Sequence, residues 1–456
     1  MSVVLDRIRR HEDAGRRVAG PALIHRQEDD EEPEVEVPDW PAPAADAAYH
    51  GVAGDLVRLV GPHTEADPHA LLAQGLIAAG NAMGPAPRME VDGARHGTTL
   101  FAGIVGASGK GRKGTSWNRI RGVLQVADPA WRERIASGLS SGEGLIWAVR
   151  DRIMKREPIR DHGEITGYQE IEEDAGVSDK RLMVVETELA KTLRTMAREG
   201  NSLSATIRDA FDHGDLRTLT KNSPAAATGA HISIIGHTTK DELLKYLDDS
   251  EAANGFANRF LWVCARRSKV LPYGGSIGTE DFAPIVARLA DALAFASAAG
   301  AITHSPATQR IWHKVYPKLS AALPGLLGCV TNRAEALVLR LSSIYALLDC
   351  TTVVEPVHLN AALAVWDYCF ASARFIFGES LEDPVAEAIL RALRGAPDGL
   401  SRTEISKALS HHAQAKQIAS ALGTLAGLGL VEREKSPPAS GSGRPVERWR
   451  ITQEGR

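Results

Sequence analysis

Residues 100–116 read Leu-Phe-Ala-Gly-Ile-Val-Gly-Ala-Ser-Gly-Lys-Gly-Arg-Lys-Gly-Thr-Ser, an apolar run that breaks into glycines, cations and hydroxyls. No other stretch limits the fold as much. A short buried strand must hand over to a loop and then to a helix start, and the glycines let successive backbone N–H groups wrap an anion. A lysine in such a loop reaches the outer phosphates, and a hydroxyl on the next helix turn holds Mg²⁺. The phosphate-cradling residues are then Gly106, Ser108, Gly109, Lys110, Gly111, Arg112, Lys113, Gly114, Thr115 and Ser116. The usual G-x-x-x-x-G-K-[ST] spacing is only partly met: Arg112 stands between Gly111 and Lys113, and Gly114 separates that lysine from Thr115. Lys113 is the candidate phosphate lysine, with Lys110 as the alternative; Thr115 is the candidate Mg²⁺ hydroxyl, with Ser116 as the alternative.

Length and composition set the frame around this loop. The chain has 456 residues, 44% apolar and 24% charged, room for two or three globular domains. No apolar stretch approaches the roughly 20 residues of a membrane span, and Met1–Arg10 is too charged for a signal peptide, so a cytoplasmic protein without membrane contact is expected. Cys264, Cys329, Cys350 and Cys369 lack paired spacing and read as reduced core residues.

Four segments follow from the pattern. Residues 1–47 mix charge blocks with prolines and read as a flexible arm. Residues 48–275 open with a helical layer, in which Asp67 and Pro68 supply a helix cap and first turn, and continue into the loop and three buried-strand runs at 181–185, 231–235 and 260–265. Strands alternating with helices predict an α/β parallel sheet with its site at the carboxyl ends of the strands. Residues 276–380 are helical throughout and read as a lid; residues 381–456 give three helices and two strands joined by a Ser, Gly and Pro loop, the pattern of a winged helix.

Phosphoryl transfer needs a metal and cations as well as a loop. Glu186 and Glu188 follow the 181–185 strand, where one carboxylate would organise Mg²⁺ and the other polarise water. His237 ends the next strand and is a candidate to sense the γ-phosphate or orient the attacking water. Arg259 precedes the last strand, placed to reach a neighbouring subunit's nucleotide.

Taken together, the loop, the acid pair, the polar strand end, the Asn258-Arg259-Phe260 segment, the helical lid and the terminal winged helix resemble, in motif order, AAA+ helicases of the minichromosome-maintenance type. Residues 48–380 also look like helicase-like ATPases of bacterial, phage and plasmid replication modules, in which a G-R-K-G-T-S loop and an N-G-F-x-N-R-F segment occur together. The resemblance implies a P-loop NTPase core, AAA+ or RecA-like in strand order. It further implies ATP and Mg²⁺ as cofactors, held in part by Thr115 and Glu186, a homo-oligomeric ring, single-stranded or forked DNA as partner, and a replication initiator or loader. It would make Arg333 a second arginine near the phosphates and Arg259 a finger acting across the subunit interface. One departure stands out: Thr187 separates two acids that are adjacent in the family, so which of them is the base stays open. A small nucleotide kinase shares the Lys-Gly-Thr step but is a short single domain.

From Pro384 onward 11 Lys and Arg face seven Asp and Glu, in a chain of net charge −4. That local excess favours nucleic acid, with Gln414, Lys416, Gln417, Arg444 and Arg448 as candidate contacts. The expected function is an ATP-driven DNA motor; the alternative is a DNA-binding regulator switched by ATP without translocation.

Overall fold

Five short runs rich in Val, Ile, Leu and Phe associate because each can bury both faces. In the computed structural model, which describes residues 40–162, 164–218, 225–247, 251–252, 254–378, 384–409, 413–427, 429–436 and 446–452, they form one parallel sheet. In chain order these are β1 (Phe101–Val105), β2 (Ile135–Ala136), β3 (Arg181–Glu186), β4 (His231–Thr238) and β5 (Phe260–Cys264). Their spatial order is β5-β1-β4-β3-β2, every pair parallel. Every residue of β1, β4 and β5 is buried, as parallel strands covered on both faces require. The register aligns Gly103, Gly236 and Glu186 in one row across β1, β4 and β3.

The helix Pro68–Met83 lies against this sheet and is buried along nearly its whole length. Asp67 caps it, accepting from the His69 N–H at 2.9 Å. The buried amide of Asn81 is fully used: its Nδ2 donates to the Leu182 and His231 carbonyls at 3.1 Å, and Trp131 Nε1 donates to Asn81 Oδ1 at 2.8 Å. Buried polar groups demand such partners, and here they tie the helix to the first turns of β3 and β4.

The helices Ala283–Ala298, Pro306–Leu319, Gly325–Thr331, Ala334–Leu348 and Pro356–Phe377 make up the expected lid region. They share one continuous hydrophobic core with the sheet, running from Ala48 to Phe377. Trp40, inside the segment read as an arm, packs edge-on against Phe375 at 5.2 Å, and the Arg266 guanidinium lies over its ring. Residues 1–39 lie outside the described residues.

Two elements differ from the sequence pattern. An antiparallel ribbon, Ile153–Asp161 with Glu164–Asp174, follows β2 and precedes β3 in the chain; neither of its faces is buried, and its scattered apolar residues lack the alternation that marks a half-buried strand. The Ser- and Gly-rich stretch at 140–144, which carries no helical pattern, opens the helix Gly142–Trp147, its Ser141 Oγ accepting from the Gly144 N–H at 3.1 Å.

The terminal segment holds the helices Pro384–Arg394, Arg402–Ala408 and Ala415–Gly427, with a three-stranded antiparallel sheet of Leu400–Ser401, Val446–Ile451 and Val431–Ser436. It has its own core around Ile389, Leu393, Ile405, Leu422 and Trp449. Ser401 and Glu404 form the capping box that the sequence announces. No helix among the described residues is long and apolar enough to cross a membrane.

Candidate functional site

The loop leaves β1 at Gly106, whose N–H donates to the Thr238 carbonyl of β4 at 3.1 Å. Only glycine fits there, because a Cβ would stand 2.1 Å from the Ala265 carbonyl oxygen at the end of β5. Gly109 takes a left-handed φ of +61° and the Gly111 N–H closes back on the Ala107 carbonyl at 3.0 Å, so the chain doubles over within six residues. Ser108, Gly109 and Lys110 are exposed on the crest, and Gly114 is exposed on the helix behind. The helix Lys113–Ala127 follows, and its first backbone bond runs from the Ser116 N–H to the Arg112 carbonyl. The N–H groups of Lys113, Gly114 and Thr115 precede that bond and therefore lack helical partners, which leaves a positive end facing the loop. Lys113 Nζ reaches back and donates to the carbonyls of Gly106 at 2.6 Å and Ala107 at 3.1 Å. Burial lowers its pKa below the ordinary lysine value.

The residue that spoils the usual spacing has a structural role. Arg112 sits at φ +51°, a left-handed conformation that side chains other than glycine adopt rarely, and it turns the loop into the helix. Its Nε donates to Glu65 Oε2 at 2.5 Å, while Glu65 Oε1 accepts from the Leu271 N–H at 2.8 Å. That backbone bond, and then Arg112, hold the Glu65 carboxyl below its usual range. Arg112 is thus drawn off the loop toward the opening helical layer, and Lys113 is the cation that turns inward.

A residue not singled out from the sequence joins two of the candidates. Gln74, in the middle of the Pro68–Met83 helix, donates from Nε2 to Ser116 Oγ at 2.6 Å and accepts from His237 Nε2 at 3.0 Å. Ser116 Oγ in turn donates to the Lys113 carbonyl at 2.6 Å, so this fully buried hydroxyl is used up inside the protein. Thr115 beside it is half-buried. His237 is buried, and desolvation with the nearby Lys113 charge pushes its pKa down to about 4. It is therefore neutral with its proton on Nε2, since Gln74 Oε1 only accepts.

Glu186 ends β3, two strands from the loop, and is buried. Its Oε1 accepts from the N–H groups of Gly138 at 2.6 Å and Leu139 at 2.8 Å, in the turn that follows β2. Glu188 is exposed and occupies the N-cap of the helix Leu189–Met196.

Arg259 and Arg333 lie at the other end of the sheet. Arg259 precedes β5 and pairs with Asp212, also donating to the Gly255 carbonyl. Arg333 donates to Asp212 Oδ1 at 2.8 Å. Arg340 completes the group, donating to the Thr99 and Phe211 carbonyls at 2.8 Å with its guanidinium 3.8 Å over the Phe211 ring. Thr99 and Phe211 border the amino end of β1, and Gly106 leaves its carboxyl end; four residue steps of strand separate the two by roughly 13 Å. Arg333 therefore stands with Arg259, away from the loop of its own chain.

His50, Asp349 and His358 bring three metal-ligand side chains together, with His50 Nε2 at 2.6 Å and His358 Nε2 at 3.2 Å from Asp349 Oδ2. The donor chemistry does not suit a cation. His358 Nδ1 accepts from the Glu355 N–H at 3.0 Å, so the neutral ring carries its proton on Nε2 and donates it to Asp349, leaving no lone pair there for a metal.

In the terminal segment, Gln414, Lys416 and Gln417 are exposed at the start of the Ala415–Gly427 helix. Arg448 faces inward: it donates to the Gly399 carbonyl at 2.8 Å and lies 3.4 Å from Glu404. Arg444 lies outside the described residues. Compared with protein-family models and with curated proteins, the chain matches none.

Proposed function

We propose that the chain is a P-loop ATPase, a ring-forming DNA motor of the helicase-like replication type, with a winged-helix domain at its end. The observation that carries the reading is the meeting of the glycine loop, Lys113 Nζ and the free helix-end amides at the carboxyl end of β1, with Glu186 two strands away. The strand order supports it. From β1 the chain crosses to the far edge at β2, returns through β3 and β4 to the flank of β1, and then places β5 on its other side. Open parallel sheets bind their ligands at such a reversal, outside the carboxyl ends.

The residues fit a nucleotide and Mg²⁺. Lys113 now spends two hydrogen bonds on carbonyls that a phosphate would replace, and Thr115 and Glu186 would hold the metal, which supplies charge neutralisation at the transferred phosphoryl. Gln74 and neutral His237 brace the helix start from below. Arg259 and Arg333 stand at the opposite end of the strands and do not reach the loop of their own chain, so a role for either at a loop-bound nucleotide would have to be played across a subunit interface, as a ring provides. The exposed Gln414, Lys416 and Gln417, with the local excess of cations, support DNA as the track.

The test is ATP hydrolysis with and without single-stranded DNA, for the parent and for Lys113→Ala. The substitution should lower turnover roughly 10²–10³-fold. Undiminished hydrolysis would overturn the assignment of the loop. Hydrolysis indifferent to DNA, with no strand displacement on a forked duplex, would select the nucleotide-switched regulator instead.

A further inference from the structure

A cleft of about 440 Å³ opens at the amino-terminal side of the sheet, in the size range of small-molecule sites. One wall is aromatic: Trp312 and Tyr316, on the helix Pro306–Leu319, meet edge-on at 5.6 Å, and Tyr316 is 45% exposed. The rest of the lining mixes apolar side chains with the polar His96, Asn258, Arg333 and Glu335, drawn from three separate stretches of chain.

Three of these residues are unsatisfied. Among the described residues ten side-chain nitrogen or oxygen atoms are shut from solvent without a hydrogen-bond partner, and His96 Nδ1, Asn258 Oδ1 and Glu335 Oε2 are three of them. Native interiors rarely tolerate such atoms; all three side chains line the cleft, and turning each about its last torsion would bring the unpartnered atom to the cleft surface, where a bound molecule supplies the missing partner. The oxygens of Asn258 and Glu335 call for donors. Burial and the neighbouring Arg340 and Arg333 push His96 down to about 4, so it adds no charge. Around the cleft Arg259, Arg333 and Arg340 stand against Asp212 and Glu335, one positive charge in excess, which suits an anion.

We propose that this cleft binds one nucleotide with an amino-bearing base: the base against Trp312 and Tyr316, its exocyclic amine on Asn258 and Glu335, its phosphate toward Arg333. Adenine, cytosine and guanine carry that amine and thymine does not. The site is distinct from the loop at Gly106 and independent of the reading given to it. The nucleotide is either free or one residue of a single strand, and both sources share this chemistry.

The experiment is equilibrium dialysis of the full chain carrying Lys113→Ala with dAMP, (dA)₁₀ and (dT)₁₀. Lys113→Ala silences the loop, including the loops of any neighbouring copies. Residual binding near one per chain, with (dA)₁₀ preferred to (dT)₁₀, is expected. Binding of dAMP identifies a free nucleotide, and binding of (dA)₁₀ alone identifies a strand where Trp312→Ala weakens it, because DNA held by the terminal segment would not respond to that substitution. Adding Trp312→Ala should weaken it roughly tenfold, as loss of a base-stacking platform does. Tyr316→Ala, at an exposed position that folding tolerates, should weaken it in the same direction, and Glu335→Gln should narrow the preference for (dA)₁₀. No residual binding to either dAMP or (dA)₁₀, or residual binding indifferent to all three substitutions, overturns the proposal. The loop assignment is judged separately, by whether Lys113→Ala lowers ATP hydrolysis.

Discussion

Arg112 Nε donates to Glu65 Oε2 at 2.5 Å, and this one pair accounts for the residue that interrupts the loop's spacing. An arginine in left-handed backbone, anchored on a carboxylate that is itself held by a backbone N–H, turns the chain so that Lys113 faces the loop carbonyls. Glu65→Gln should therefore loosen the loop without removing any phosphate ligand. We expect KM for ATP to rise severalfold with kcat little changed. A fall in kcat with unaltered KM would show that Glu65 acts in the chemical step and not in positioning.

Asp212 is the single carboxylate shared by Arg259 and Arg333. Asp212→Asn strands a buried guanidinium, a change that typically costs about 3–5 kcal/mol. The denaturant midpoint should fall accordingly. A variant within 0.5 kcal/mol of the parent, roughly the effect of an ordinary surface change, would mean that the two arginines find other partners.

Glu186 and Glu188 have different surroundings and should fail differently. Glu186 is buried and fixed through Oε1 by two N–H donors, a bond pattern that Glu186→Gln preserves while removing charge. Its loss should appear as a higher Mg²⁺ requirement. Glu188 is exposed and unanchored by comparison, and Glu188→Gln should lower kcat with nucleotide binding intact. Titrating Mg²⁺ in the ATPase assay of each variant separates the two, and identical profiles would reject the division of roles.

Stability should begin to decline with acid above the ordinary carboxylate range. Burial pushes the pKa values of His96, His231 and His237 down to about 4, against an ordinary 6.5, and lowers that of His304. Between those values the unfolded chain binds protons that the folded chain refuses, so stability is complete above pH 6.5 and falls as pH drops toward 4. The slope approaches about 1.4 kcal/mol per pH unit for each histidine. Denaturation at pH 7 and pH 5 measures it, and His237→Gln, which removes one of these four histidines, should reduce the difference by about a quarter to a third. An unchanged difference in that variant would place the acid sensitivity elsewhere.

Lys416 and Arg448 test the terminal segment. Lys416 is exposed, and Lys416→Ala should weaken DNA binding and reduce the slope of log K against log salt by about 1. Arg448 is occupied by the Gly399 carbonyl and Glu404, so Arg448→Ala should lower the melting temperature of that segment more than it lowers DNA affinity. The reverse pattern would show that Arg448 leaves its partners for phosphate.

Much of the architecture was legible because its signals are local. The caps at Asp67 and Ser401, the apolar runs of β1, β3, β4 and β5 and the glycine loop each depend on a few neighbouring residues, and each element formed where its pattern stood. The 153–174 ribbon was not legible, since neither of its faces is buried and no alternation records it. Nor was β2, because two residues carry no period.

The sequence by itself determined which segments are strand, helix and loop, and that a phosphate-type loop follows β1, because hydrogen bonding within a turn and the burial of a side-chain stripe are settled over a few residues. Only the tertiary structure decided how distant groups meet. It set β4 between β1 and β3, gave Gln74 to both Ser116 and His237, and gathered Arg259, Arg333 and Arg340 around Asp212 and Phe211 at the end of the sheet away from Lys113. Those contacts join residues up to 163 positions apart, and packing of the whole core, which no local pattern encodes, brings them within hydrogen-bonding reach.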